Sequence, residues 1–261
     1  IIPNSQFKDH NVAVDAGLKP FQNHTLKLQY QRFAAEDVGI PGGAPFPGSA
    51  EATYTDAQRN LFSLNYEISE ISETWENIAL RVFHQNILRD VLMYPNASAK
   101  ENGNVRIEPQ KITPTGNHYT SGMQLKSHWE FHSQHRLTTG FDLWQRKLKT
   151  EREKYIQNTV YQTDALVNPV DTIHLVRGET PIPKSEYASG GLFFQDEFVL
   201  FDELLQVSVG GRYDLIRVHN EQTFDPDYLI RDNTLIDPPP DQKITFTEQT
   251  VVNRSWSSNL G

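Results

Sequence analysis

SEYASGGLFFQDEFVLFDELLQVSVGGRYDLIRVHNEQ, Ser185 to Gln222, consists of two alternating segments joined by a tight Asp202-Glu203 connection, the signal for a β-hairpin. In the second arm Leu205, Val207, Val209, Gly211, Tyr213 and Leu215 share one face, and Gln206, Ser208, Gly210, Arg212 and Asp214 share the other. This follows because successive side chains of a strand point to opposite sides. Folding the chain about Asp202-Glu203 sets Leu200 against Leu205, Phe198 against Val207, Phe194 against Gly211 and Leu192 against Tyr213. The opposite face then pairs Phe193 with Arg212, Gln195 with Gly210 and Glu197 with Ser208. One face is apolar and the other polar. Asp196 breaks the pattern, an acid on the apolar face whose placement requires a bulge.

Such a hairpin has two possible homes. In a soluble protein its apolar face meets a core and its polar face meets water. In a transmembrane barrel the apolar face meets hydrocarbon and the polar face lines the lumen. Composition narrows the choice. With 37% hydrophobic residues and a mean hydropathy of −0.56 over 261 residues, no run approaches the roughly 20 apolar residues of a membrane helix. Helical membrane proteins are excluded; barrels, whose spans are about 9–11 alternating residues, are not. Cysteine is absent, which removes disulfides, thiol chemistry and Cys₄ zinc sites. A net charge of −9 argues against nucleic acid as a partner, since binding it takes a basic footprint. The chain starts at Ile1 without a methionine or a leader, and ends at Gly261 as a new alternating segment opens. It reads as a piece of a longer protein.

Alternation predicts seven further strands along the chain. A first strand lies near Asn11 to Lys19, and a second carries Leu26, Leu28 and Tyr30. The connection VGIPGGAPFPGSAEATYTDA follows, too rich in Gly and Pro for regular structure. Phe62, Leu64, Tyr66 and Ile68 mark a third strand, and Ile78, Leu80 and Val82 a fourth. After a long connection from about Asn96 to Gly116, Tyr119, Met123, Leu125, Trp129 and Phe131 mark a fifth. Leu137, Thr139, Phe141 and Leu143 mark the sixth, and a third long connection runs from Lys149 to Lys184. Past the hairpin a fourth long connection spans Asp225 to Gln249, and the ninth strand begins near Val251. Short helical turns are expected only at Asp56 to Leu61 and Thr150 to Ile156. No domain boundary is visible.

The connections alternate, short then long, four times over. Loops beyond about 12–15 residues are uncommon in compact domains, yet every second connection here is that long. A meander with short turns at one end and long loops at the other is the plan of a transmembrane barrel. Phe21, Tyr66, Trp75, Trp129, Phe131, Phe198 and Phe201 sit near the short turns, where an interfacial aromatic girdle belongs. The expected fold is all-β: an antiparallel transmembrane β-barrel meander, about nine strands of a larger barrel, with short periplasmic turns and long extracellular loops.

Several strings then carry a resemblance. GLFFQDEF at 191–198 and the strand ending GGRYD at 210–214, with QRFAAEDVGIPGG at 31–43 and SWSSNLG at 255–261, resemble the barrel of TonB-dependent outer-membrane receptors. The resemblance implies a barrel of about 22 strands closed by a plug, with residues 1–261 part of that single barrel domain and the plug and the C-terminal strands outside this chain. It also implies a function: energy-coupled uptake, across the bacterial outer membrane, of an iron complex such as a ferric siderophore or haem. The TonB complex would be reached through the plug, and outer-membrane lipid would surround the wall. A passive porin or structural barrel, and a soluble β-sandwich binding module, are the alternatives.

Under that reading, lumen-side Arg81, Asp142, Arg146, Arg212 and Asp214 face the plug, or pair with one another across the wall. Ligand contacts come from the long loops: Tyr155, Tyr161, His174 and Arg177 in the third, Tyr228 and Arg231 in the fourth. Tyr and Arg suit an anionic ferric chelate through stacking and charge-assisted hydrogen bonds. Of nine histidines, His174 in a loop and His84, His118 and His219 near loop ends are candidates for haem iron. Asp225, Asp227, Asp232, Asp237 and Asp241 lack a regular Ca²⁺ loop and read as solvated; two methionines do not make a copper site. No GxSxG, HExxH or glycine-rich phosphate loop occurs, so neither an enzyme nor a bound cofactor or metal is expected.

Overall fold

The computed structural model describes residues 4–40, 51–132, 134–201 and 204–261. Nine long strands carry the architecture: β1 (Lys8–Leu18), β2 (His24–Ile40), β3 (Glu51–Ser69), β4 (Trp75–Tyr94), β6 (Val105–His132), β7 (His135–Tyr161), β9 (Ser185–Leu200), β10 (Leu205–Asn220) and β15 (Gln249–Leu260). Six shorter ones decorate them: β5 (Lys100–Asn102), β8 (Pro169–Glu179), β11 (Thr223–Asp225), β12 (Tyr228–Arg231), β13 (Thr234–Ile236) and β14 (Lys243–Phe246). The nine long strands pair in chain order, each antiparallel to the next. The four short connections therefore leave from one end of the sheet and the long ones from the other.

One line of registered partners shows what the sheet separates. Leu18, Leu26, Tyr66, Leu80, Leu125, Phe141, Leu192, Tyr213 and Trp256 stand side by side across the nine strands. One residue along, the line reads Gly17, Lys27, Asn65, Arg81, Gln124, Asp142, Gly191, Asp214 and Ser255. The first line is apolar throughout and the second has no apolar side chain. Among the described residues no second layer covers the apolar side: Leu192 is 63% exposed, Trp256 78% and Leu205 45%. Among the described residues the only buried hydrophobic side chains are Ala35 and Ala52. A soluble sandwich hides its apolar face against a second sheet; this one presents it outward, as a barrel wall presents it to lipid.

The opening hairpin has the expected register, from Leu205 against Leu200 to Tyr213 against Leu192. Its Asp202-Glu203 connection lies outside the described residues. Asp196 needs no bulge: it pairs in unbroken register with Val209 and points outward, where His135 of β7 approaches it at 2.7 Å. An acid tolerates the apolar face there because it sits at the polar rim with the His135 ring against it.

That rim is the aromatic girdle. Trp75 stacks on Trp129 with centroids 4.5 Å apart, Trp129 lies 6.4 Å from Phe131, Phe131 5.1 Å from His135, and His135 4.6 Å from Phe198. The Trp75 indole donates to Ser127 Oγ at 2.7 Å, so the ring keeps its polar edge satisfied in an interfacial setting.

Two expectations fail on the long-connection side. Asp56 to Leu61 and Thr150 to Ile156 are strand, with no helical turn. Nor are the long connections irregular throughout: β2 runs to Ile40, β3 starts at Glu51, β6 starts at Val105 and β7 runs to Tyr161. Residues 41–50 lie outside the described residues. Pro109 and Pro114 are accommodated inside β6. Pro109 sits at a bulge, and Pro114 where pairing to β4 lapses between Asp90↔Thr115 and Met93↔Ile112. Both are places where a missing N–H interrupts little of the ladder.

Candidate functional site

Two polar assemblies stand out, one on the inward wall and one on the long-connection side. On the wall, Arg212 of β10 donates to both carboxylates beside it: Nη1 to Asp142 Oδ1 at 2.7 Å, and Nη2 and Nε to Asp214 at 2.6 and 2.9 Å. Asp142 lies two strands away on β7. Arg212 reaches it across β9 at Gly191, where a Cβ would fall 2.3 Å from Arg212 Nη2. Glycine at 191 is therefore what lets a cation bridge the two acids. The guanidinium also lies 6.0 Å from the Phe193 ring centroid, within cation–π reach.

Farther round the wall, Arg59 donates from Nε to Gln85 at 2.9 Å and from Nη1 to Gln31 at 3.3 Å. Arg81 lines a recess of about 360 Å³ together with Lys27, Asn65, Glu67, Gln124 and Lys126. Neither Arg81 nor Arg146 makes an ion pair among the described residues, and Arg146 lies over the Trp144 ring at 5.7 Å. This stretch of wall holds more cations than it neutralises.

The second assembly joins two long connections. β8 pairs with β7, and β12, from the fourth long connection, pairs with β8. At the junction is Glu179, its side chain 4% exposed. It is held by Arg152, by Lys154 Nζ at 2.7 Å and by Arg177 Nε at 3.1 Å. Arg177 also reaches Asp225 Oδ1 at 2.7 Å. Alternation sets these residues on one side of the strand pair and Glu153 on the other. Glu153 accepts Tyr228 Oη on one oxygen and Tyr155 Oη on the other, both at 2.6 Å. The Tyr228 ring lies flat over Gly178, where a Cβ would meet its Cε1 at 2.2 Å. Burial, reinforced by the bond to Glu153, pushes the Tyr228 phenol above its usual range. For Tyr155 the bond to Glu153 is the larger cause of the same upward shift, followed by burial. Both are outside the membrane-spanning part of the sheet, since the spans take only about ten residues of each strand.

Comparison with known proteins accords with this arrangement. Residues 4–261 match the family described as "TonB dependent receptor-like, beta-barrel". The chain belongs to that family. It is therefore an outer-membrane β-barrel protein segment of Gram-negative type. Among solved structures, the copper transporter OprC is similar with a TM-score of 0.62 at 15% identity, over 98% of this chain and 35% of that one. At that identity the likeness is one of fold, and the chain spans about one third of the transporter's length. No curated protein matches.

Within this TonB-dependent receptor barrel, the five residues expected on the lumen side all lie on the inward face. Arg212, Asp142 and Asp214 pair with one another, while Arg81 and Arg146 do not join them. Of the six loop residues, Tyr155, Arg177 and Tyr228 are brought together by the Glu153 and Glu179 assembly. His174 and Arg231 lie one strand apart near Asp232, which accepts the His174 N–H at 2.8 Å and lies 3.8 Å from Arg231 Nε. Tyr161 ends β7 apart from the rest, its carbonyl accepting Asn104 Nδ2 at 2.7 Å.

Two of the histidines named for haem are misplaced for that role. His84 and His219 point outward, bonded to Ser121 and Thr250 at 2.8 and 2.9 Å. The acids at 225, 227 and 232 are not merely solvated either, since they hold Arg177, Thr180 and the His174 amide. No group of three or more metal-ligating side chains occurs among the described residues. Sequence reasoning missed Glu153, Glu179, Arg152 and Lys154. The signal was present in Glu151-Arg152-Glu153-Lys154, which on a strand sends acids to one face and bases to the other.

Proposed function

We propose that this chain forms part of the wall of a TonB-energised importer that carries a large anionic iron complex, a ferric siderophore or haem, across the outer membrane. The observation that carries the reading is the inward wall: beside the satisfied Arg212 network it offers Lys27, Arg81, Lys126 and Arg146 in excess of the acids near them. A polar lumen with cations to spare suits a second protein element inside it, a plug whose carboxylates meet Arg81 and Arg146. TonB would act through that plug.

The six loop residues divide into two roles under this proposal. Tyr155, Arg177 and Tyr228 hold the third and fourth long connections together. Tyr161, His174 and Arg231, whose side-chain donors are less fully engaged, remain for the cargo, Arg231 on the Glu179 side of the strands and Tyr161 and His174 on the Glu153 side. Copper is the cargo of the solved neighbour, but Met93 and Met123 are the only methionines here and copper favours thioether or imidazole clusters. An iron chelate, bound through aromatic and guanidinium contacts, fits the residues better.

The test is uptake of radiolabelled ferric siderophore or haem by cells expressing the whole receptor under iron limitation, with and without a proton uncoupler. Uptake that stops with the uncoupler and falls in Y161A/R231A supports the proposal. Uptake indifferent to the uncoupler would make the barrel a passive pore.

A further inference from the structure

Between Glu186 and Leu192 the outward face of β9 carries two small residues in succession, Ala188 and Gly190. Registered beside them are Leu143 of β7 and Leu215 of β10, both close to half exposed. The missing side chains leave an apolar trough of about 590 Å³ on the outside of the wall, whose lining ends at Arg217. Arg254 on β15 stands diagonally opposite: Arg217 pairs with Val252, and Leu215 with Arg254. Diagonal neighbours of this kind lie about 7–8 Å apart, close enough for two long side chains to hold one anion.

Their depth is informative. On β10 the outward apolar run ends at Leu215; on β15 Arg254 follows Trp256, and Val252 is the last outward apolar residue beyond it. Each arginine is the next outward residue toward the long connections, so both sit where hydrocarbon gives way to headgroups on the extracellular side. Both are exposed, and neither makes an ion pair among the described residues. The acid diagonal to Arg217 on β9, Glu186, is held by Lys147 at 3.6 Å.

We propose that this trough binds a phosphorylated lipid of the outer leaflet. One acyl chain lies along the Gly190 floor, and the phosphate is clamped by Arg217 and Arg254. Arginine forks match phosphate oxygens two at a time, and the apolar floor offers a chain a surface already stripped of bulky side chains. The inference rests on the barrel reading, with the long connections on the outer side.

The experiment is native mass spectrometry of the full receptor from detergent, loaded with bisphosphorylated lipid A or with the same lipid after enzymatic dephosphorylation. Wild type should retain the phosphorylated form, and R217Q/R254Q should lose retention by about tenfold or more, the loss expected for a clamp of charge-assisted bonds. R32Q, an outward cation on β2 away from the trough, should retain lipid as wild type does. G190L, or A188L if that variant fails to assemble, should lose it by filling the floor. Equal retention of the two lipids, undiminished retention by R217Q/R254Q, or an equal loss in R32Q would overturn the proposal. Heat-dependent gel migration is read in parallel: if wild type shows no shift, it is the barrel reading that has failed.

Discussion

Glu179 is the residue on which the extracellular assembly turns, and Glu179→Gln is the sharpest perturbation of it. The substitution keeps the shape and removes the charge that Arg152, Lys154 and Arg177 share. A fully desolvated charge-assisted bond contributes about 1.5–3 kcal/mol, whereas an exposed ion pair contributes about 0.2–1. Here the carboxylate is 4% exposed but the three cations are 33%, 34% and 38% exposed. Each contact therefore falls between these limits, and the glutamine retains part of one. A net loss of about 2 kcal/mol results, which corresponds to a roughly 30-fold rise in local opening. The loss is confined to β8, β12 and their neighbours, because nothing in the membrane-spanning rows touches Glu179. Hydrogen exchange on the intact receptor in nanodiscs reads this directly. Amides of Leu175 to Gly178 and Tyr228 to Arg231 should exchange faster by that factor, while β9 and β10 stay unchanged. Unaltered exchange at β8 and β12 would show that strand pairing alone holds the two connections together, and the hub would have no energetic role.

Arg212→Ala should leave Asp142 and Asp214, 15% and 18% exposed, as unpaired like charges on one row, at a cost of about 2 kcal/mol. D142N/D214N added to it should recover much of the loss, so the unfolding temperature by heat-modified gel migration should fall and then rise. Leu192→Arg on the outward row should impair assembly by up to about 2–4 kcal/mol according to its depth, while inward Gln195→Arg should be tolerated; comparable assembly yields from liposome refolding would contradict the assignment of faces. Tyr228 and Tyr155 have phenols raised above the usual tyrosine value of about 10, so the folded state holds their protons more tightly than the unfolded one. Their contribution is intact below pH 10 and is lost as pH rises above it; proteolysis within 223–247 should accelerate there, and Y228F should flatten the dependence.

The wall was legible from the sequence because its two requirements coincide. Period-two alternation marks each span, and folding the sequence about Asp202-Glu203 sets the register of its two arms, so every pair from Leu200↔Leu205 to Leu192↔Tyr213 followed. The same parity assigned Arg81, Asp142, Arg146, Arg212 and Asp214 to one side. What stayed illegible lies above the bilayer. There a strand needs no apolar face, so Glu151-Arg152-Glu153-Lys154 keeps the alternation but exchanges grease and polarity for acid and base. The pairing of β12 with β8 joins Leu229 to Arg177, some fifty residues apart, and no local signal announces it. Asp196 was unreadable for the same reason, since its partner His135 lies on another hairpin.

The stagger of the short turns fixes one property of the wall that no single strand shows. Along the registered line from Leu18 to Tyr213, the first turn follows Leu18 at once. The second lies three residues beyond Tyr66, the third six beyond Phe141 and the fourth eight beyond Tyr213. Eight residues of drift amount to about 26 Å along a strand, accumulated over six inter-strand steps that span about 29 Å. If the short turns share one membrane surface, the strands must lean by about 40–45° to bring them level, which is the tilt of transmembrane barrels. The outward apolar runs drift in the same direction, from Val12–Leu18 on β1 to Leu205–Leu215 on β10. A band that slides along the sheet therefore becomes a horizontal belt once the strands are tilted. A soluble sheet has no reason to couple the position of its turns to the position of its apolar stripe; a wall set in a bilayer does.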